Sequence, residues 1–149
     1  MAKMTQAVMD TINHEFCYWA TADKNGVPHL EMQGSTTPID TSTILMVPRF
    51  KNQTFNNLLV NPKAAIIAYT SLPHDKTKAQ NDTLALINGF QIKGTATVLT
   101  SGEAYEQTKK VVAERIHPKM VEVMEQSVIF KVEEVYSAGL KPEDGKRIA

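Results

Sequence analysis

The segment Pro48-Arg49-Phe50-Lys51-Asn52-Gln53-Thr54 passes from a strand end into a helix start and carries two cations and a hydroxyl. Unpaired N–H groups and the dipole at a helix N-terminus favour an anion, so this is the best candidate for a phosphate site. Two further segments group with it. Met32-Gln33-Gly34-Ser35 stands at the far end of a strand, and Ile87-Asn88-Gly89 leads into Gln91. From that point the chain alternates. Phe90, Ile92, Gly94, Ala96 and Val98 share one face, while Gln91, Lys93, Thr95 and Thr97 share the other. Gly89 and Gly94 leave gaps in the side-chain cover where another backbone or a flat ligand can come close.

The elements that must position these segments follow from periodicity and turn chemistry. Met4, Val8 and Ile12 fall one turn apart and predict a helix over 5–14. An aromatic-rich strand over 16–21 meets the Asn25-Gly26 turn signal, and a second strand runs over 27–35, making a hairpin. A polar connection leads to a strand over 43–47 that stops at Pro48. The helix over 54–60 ends at Asn61-Pro62, because proline disfavours helix at the residue before it. Residues 64–69 are apolar on both faces and read as a central strand; 71–82 read as a long polar loop, and 88–99 as the next strand. Thr100 and Glu103 have the spacing of a capping box. The helix it opens breaks at His117-Pro118, a short helical piece covers 119–125, and the last strand covers 128–136. About six strands around one core predict a mainly β fold: a closed or nearly closed antiparallel barrel of Greek-key type with helices at its ends. One domain spans 1–149, with 139–149 as a peripheral tail.

Composition narrows the function. The 149 residues carry a formal net charge of +0, so no global field recruits nucleic acid or an anionic membrane, and any anion site is local. No apolar run is long enough to span a bilayer, and Met1-Ala2-Lys3-Met4-Thr5-Gln6 lacks a signal-peptide layout, so a cytoplasmic protein is expected. Cys17 is the only cysteine and sits in an apolar strand, where a thiol behaves as a small buried hydrophobe. His14, His29, His74 and His117 are dispersed, and no metal site is expected. Glu133 and Glu134, adjacent on a strand, are expected to point to opposite faces and not to act as a pair.

Taken in order, several pieces resemble the FMN-binding split-barrel proteins related to pyridoxamine 5′-phosphate oxidase. They are Ala20-Thr21 before Asn25-Gly26-Val27-Pro28-His29, the Val47-Pro48 strand end, and Gln53-Thr54 with Asn57-Leu58. Asn61-Pro62-Lys63-Ala64 and the run from Gly89 to Ala96 with Ser101-Gly102-Glu103 complete the set. The resemblance covers residues 5–137 and is closest in style to the small FMN-binding flavoproteins. It implies a homodimer with FMN at the subunit interface. Met32, Gln33 and Gly34 would lie along the isoalloxazine ring, and Pro48 and Arg49, followed by Phe50, at its polar edge. Gln53 and Thr54 match the phosphate-binding pair, and Asn88, Gly89 and Gln91 would reach the ring from the neighbouring strand.

Two departures stand out. The family's phosphate pair is often basic and here is Gln53-Thr54, so Lys51, Arg49 or a partner-chain residue must compensate. The oxidase's C-terminal arginine-and-histidine motif has no counterpart in Lys141-Pro142-Glu143-Asp144-Gly145-Lys146-Arg147, so vitamin B6 oxidation is not expected. The resemblance implies an FMN-dependent oxidoreductase passing electrons from a donor such as NAD(P)H to an acceptor, with Arg49 or Lys93 stabilising the reduced ring. The alternatives are a non-catalytic FMN or electron carrier, and a relative binding deazaflavin or haem.

Overall fold

The computed structural model describes residues 2–70 and 88–149. The loop expected over 71–82 lies outside the described residues, as does Ile87. In chain order the elements are α1 (Gln6–His14), β1 (Cys17–Ala22), β2 (Pro28–Met32), β3 (Thr37–Asp40), β4 (Thr43–Met46) and α2 (Gln53–Val60). They continue with β5 (Lys63–Tyr69), β6 (Gly89–Leu99), α3 (Glu103–Arg115), α4 (Pro118–Val123) and β7 (Ser127–Ser137). The strands form one antiparallel sheet of seven, ordered β2-β1-β5-β6-β7-β4-β3.

The two edge strands, β2 and β3, are joined by the short link 33–36, and this link curls the sheet into a split barrel. Gln33 N donates to the Cys17 carbonyl at 2.8 Å, and Trp19 Nε1 donates to Thr36 Oγ1 at 2.9 Å. On the opposite side, Ser35 Oγ donates to the Val47 carbonyl at 2.8 Å and accepts from Val47 N at 2.9 Å. One side of the link is therefore fastened to β1 and the other to the end of β4.

Inward residues fill the barrel at the period of two. Cys17 and Trp19 of β1, Ile66 and Ala68 of β5, Ile92 and Ala96 of β6, and Phe130 and Val132 of β7 are buried together. Trp19 and Phe130 meet edge to face with centroids 5.3 Å apart. Gly94 makes this possible, since a Cβ there would press on the Lys131 carbonyl and lie 2.7 Å from Phe130 Cζ. Met4, Val8 and Ile12, from α1 and the residues before it, join the same core. Outside the barrel, α3 and α4 cover one part of the sheet: Tyr105, Val112 and Met124 pack with Leu45, Val47 and Ile129.

Four local expectations are revised. The polar connection before β4 contains β3, a short edge strand whose Pro38 is tolerated because edge strands need not donate on both sides. Thr100 and Glu103 form no capping box; Gly102 is the N-cap of α3, at φ +92°, with no side-chain cap. Helix α2 starts at Gln53, capped by Asn52, whose Oδ1 accepts from Phe55 N at 3.1 Å. A bulge between Lys93 and Gly94 leaves Glu133 unpaired, so Glu133 and Glu134 line one outer cleft rather than opposite faces. The chain end docks on β7, where Ile148 N donates to the Val135 carbonyl at 2.7 Å and Val135 N to the Ala149 carbonyl at 2.9 Å. Among the described residues no helix is long and apolar enough to cross a membrane.

Candidate functional site

The end of β2 and the loop after β4 converge because the 33–36 link is tied to both. Between them opens a cleft of about 370 Å³, lined by Glu31, Met32, Gln33, Gly34, Arg49, Phe50 and Asn52 with Phe16 and Met120. Pro48, Arg49, Phe50 and Lys51 also line an adjoining cleft of about 500 Å³ against α4 and Gln126. Both volumes fall in the range of small-molecule pockets, roughly 300–1,000 Å³. Walls from Phe16, Met32, Phe50 and Met120 are apolar, and Gly34 leaves its backbone open, a Cβ there meeting only the Met32 sulfur at 3.8 Å. Arg49 lies over the Phe50 ring, 5.5 Å from its centroid, and Lys51 is 3.8 Å from Glu125.

The helix start differs from a phosphate cradle. Thr54 is fully buried, and its Oγ1 donates to Glu31 Oε2 at 2.8 Å. The same oxygen lies 3.3 Å from His29 Nε2 and accepts from Gln33 Nε2 at 3.5 Å. Gln53 Nε2 donates to Asn57 Oδ1 at 2.7 Å, and Asn57 Nδ2 to Thr21 Oγ1 at 3.0 Å. Both side chains of the expected phosphate pair are thus engaged within the chain, and the carboxylate beside Thr54 is its own. Sequence reasoning passed over Glu31 because a glutamate in an alternating strand carries no motif.

The third predicted segment lies elsewhere on the same sheet. Met32 pairs with Tyr18, Tyr18 with Ile67, and Ile67 with Gln91, so three strand spacings, about 14 Å, separate Met32 from Gln91. Asn88 precedes β6, and its carbonyl accepts from Thr70 N at 2.7 Å. Gly89 serves its own chain: a Cβ there would lie 2.5 Å from the Ala138 carbonyl oxygen and against the Tyr69 ring. Its lack of a side chain is a packing requirement, not a gap left for a flat ligand.

Between the two places no described residue covers the outer face of β2, β1 and β5. Phe16, Tyr18, Leu30, Met32 and Tyr69 are all exposed there. Its far end is a charged cleft of about 470 Å³, where Lys63 Nζ lies 2.8 Å from Glu133 Oε1 and Lys93 Nζ sits 4.7 Å from the Tyr136 ring centroid. The Lys63 ammonium and the Thr95 hydroxyl hold the Glu133 carboxyl below its usual range. Tyr136 donates to Glu134, which raises its phenol above the ordinary value.

Gln126 was missed by sequence reasoning, having only its position between α4 and β7 to mark it. It is buried, and Nε2 donates to the Pro48 carbonyl at 3.1 Å. A carbonyl can only accept, which fixes the amide orientation; Oε1 is then a buried acceptor with no partner among the described residues. Such an acceptor in a cleft wall can take an N–H or O–H donor from water or from a ligand.

Residues 4–138 match the pyridoxamine 5′-phosphate oxidase family model. The chain belongs to this family. It is 28% identical to the uncharacterized protein MJ0282 of Methanocaldococcus jannaschii, over all of this chain and 90% of that one. Among solved structures, HupZ of Group A Streptococcus superposes with a TM-score of 0.70 at 26% identity, covering 95% of this chain and 99% of that one. Two more distant structures share the fold. An FMN-binding protein from Syntrophomonas wolfei has a TM-score of 0.64 at 15% identity over 91% of this chain and 89% of its own. HutZ, the heme storage protein from Vibrio cholerae, has 0.64 at 14%, over 89% and 94%. The split barrel of this family is the fold expected from the sequence, with one more strand. Among the described residues no group of three or more His, Cys, Asp and Glu could hold a metal ion.

Proposed function

We propose that two copies of this chain pair through the exposed outer face of β2, β1 and β5 and bind a flavin. The flavin would sit in the cleft between Met32-Gln33-Gly34 and Pro48-Arg49-Phe50. One observation carries the reading: an apolar cleft with an open backbone at Gly34 borders a sheet face on which Phe16, Tyr18, Leu30, Met32 and Tyr69 are exposed. A second copy on that face supplies what one chain lacks, since Asn88 and Gln91 cannot reach the cleft of their own chain.

The residues present fit the ring end of the group. Met32, Phe50, Phe16 and Met120 exclude water from a flat aromatic body, and Gln126 Oε1 offers an acceptor to a ring N–H. Arg49 is the cation at the rim and would stabilise negative charge on the ring. When bound, the flavin supplies electron uptake and release between a donor such as NAD(P)H and an acceptor, and the protein supplies binding and electrostatics. The phosphate end does not fit at Gln53-Thr54, both being engaged within the chain.

A second reading is haem in the same cleft. The likeness in fold to a heme storage protein supports it. The visible spectrum of the purified protein, followed by titration with FMN and with haemin, tests both. Flavin bands or a saturable FMN isotherm support the first reading. A Soret band with no flavin binding overturns it.

A further inference from the structure

We infer that Glu31 is a built-in anion occupying the place of a ligand phosphate at the start of α2. The cleft therefore selects a ligand that is uncharged or hydrogen-bond-donating at that end, a flavin lacking its phosphate rather than FMN. Thr54 stands in the first turn of α2, where the helix dipole attracts negative charge, and its buried hydroxyl is given to Glu31 Oε2 at 2.8 Å. His29 and Gln33 approach the same oxygen from β2 and the link after it, at 3.3 and 3.5 Å. Three elements of local structure thus converge on one carboxylate oxygen in the cleft wall.

A phosphate arriving there would meet that carboxylate within a few ångströms. Two like charges about 4 Å apart near a protein surface repel strongly enough for a preference of about tenfold. Nor can the Gln53 amide offer compensation, being given to Asn57. The flavin part of this inference rests on the proposed function; the exclusion of phosphate does not.

Glu31→Gln isolates the charge, because its amide oxygen still accepts from Thr54. Affinities of wild type and variant for FMN and riboflavin are measured by flavin fluorescence quenching. In parallel, thermal unfolding is followed in inorganic phosphate against chloride at matched ionic strength. Wild type is expected to bind riboflavin at least as tightly as FMN and to show no phosphate-specific stabilisation. The variant should gain about tenfold in FMN-over-riboflavin preference. It should also melt at a higher temperature in phosphate than in chloride. A wild type that prefers FMN about tenfold, or a variant whose preference and phosphate response both match wild type, overturns the inference. If neither flavin binds either protein, the proposed function falls and the phosphate arm alone decides on Glu31. Should Glu31→Gln fail to fold, Glu31→Ala is read the same way.

Discussion

Replacing Leu30 with glutamate tests the exposed sheet face most directly. Leu30 stands on the outer side of β2 opposite Ala20. It is 66% exposed, so covering what remains of a side chain worth ~1.5–3 kcal/mol when fully buried yields ~1–2 kcal/mol per copy. A two-fold interface uses the same residue from both subunits, so the loss doubles to ~2–4 kcal/mol. That is roughly 30- to 1,000-fold in the dimer dissociation constant. Two carboxylates forced into a drying seam add to the loss, since an unpaired buried charge is costly. Light scattering over a dilution series should show wild type as a dimer and Leu30→Glu as a monomer with an unchanged far-ultraviolet spectrum. A monomeric wild type, or a Leu30→Glu dimer that dissociates at the wild-type concentration, would refute the reasoning.

Two other outcomes follow from packing. Gly89→Val should lower the melting temperature, because its side chain meets the Ala138 carbonyl and the Tyr69 ring; overpacking of ~1–3 kcal/mol corresponds to roughly 2–12 °C in a chain of this size. A variant that melts like wild type and loses only ligand binding would contradict this. Burial, with Glu15 nearby, pushes the Cys17 thiol up to about 12 from an ordinary 9.0, so the folded state holds its proton where the unfolded state releases it. The associated stability is fully present below about pH 9 and lost as pH rises toward about 12, a loss that Cys17→Ala should lessen. Denaturant melts of the two proteins at pH 8 and 10 check it, and equal losses would show that the thiol plays no part.

The alternation of β6 was legible because a strand between two others must bury one face, and Phe90, Ile92, Gly94 and Ala96 supply it. The hairpin was legible from Asn25-Gly26, where Gly26 takes φ +81° and Val27 N returns to Asp23 Oδ1 at 2.9 Å. Strand β3 was not, since Thr37-Pro38-Ile39-Asp40 is short and interrupted by a proline, and becomes a strand only by pairing with β4. Sequence order placed Met32-Gln33-Gly34 and Pro48-Arg49-Phe50 in one region, which the 33–36 link realises. It could not place Gln91, whose distance from Met32 depends on strand order. It could not foresee Glu31 either, because the meaning of that carboxylate lies in a contact with Thr54 across 23 positions of chain.

The bulge at Glu133 has a consequence for how β7 can vary. Its inward residues are Val128, Phe130 and Val132, then Val135, so the rhythm slips by one position at the unpaired glutamate. The strand is two half-strands out of phase, spliced by a single residue. A length change elsewhere in β7 would turn one half inside out, carrying lysine or glutamate into the barrel beside Trp19. At the splice the chain already absorbs an odd residue, so insertions and deletions in this strand are confined to the one place where the beat is already broken.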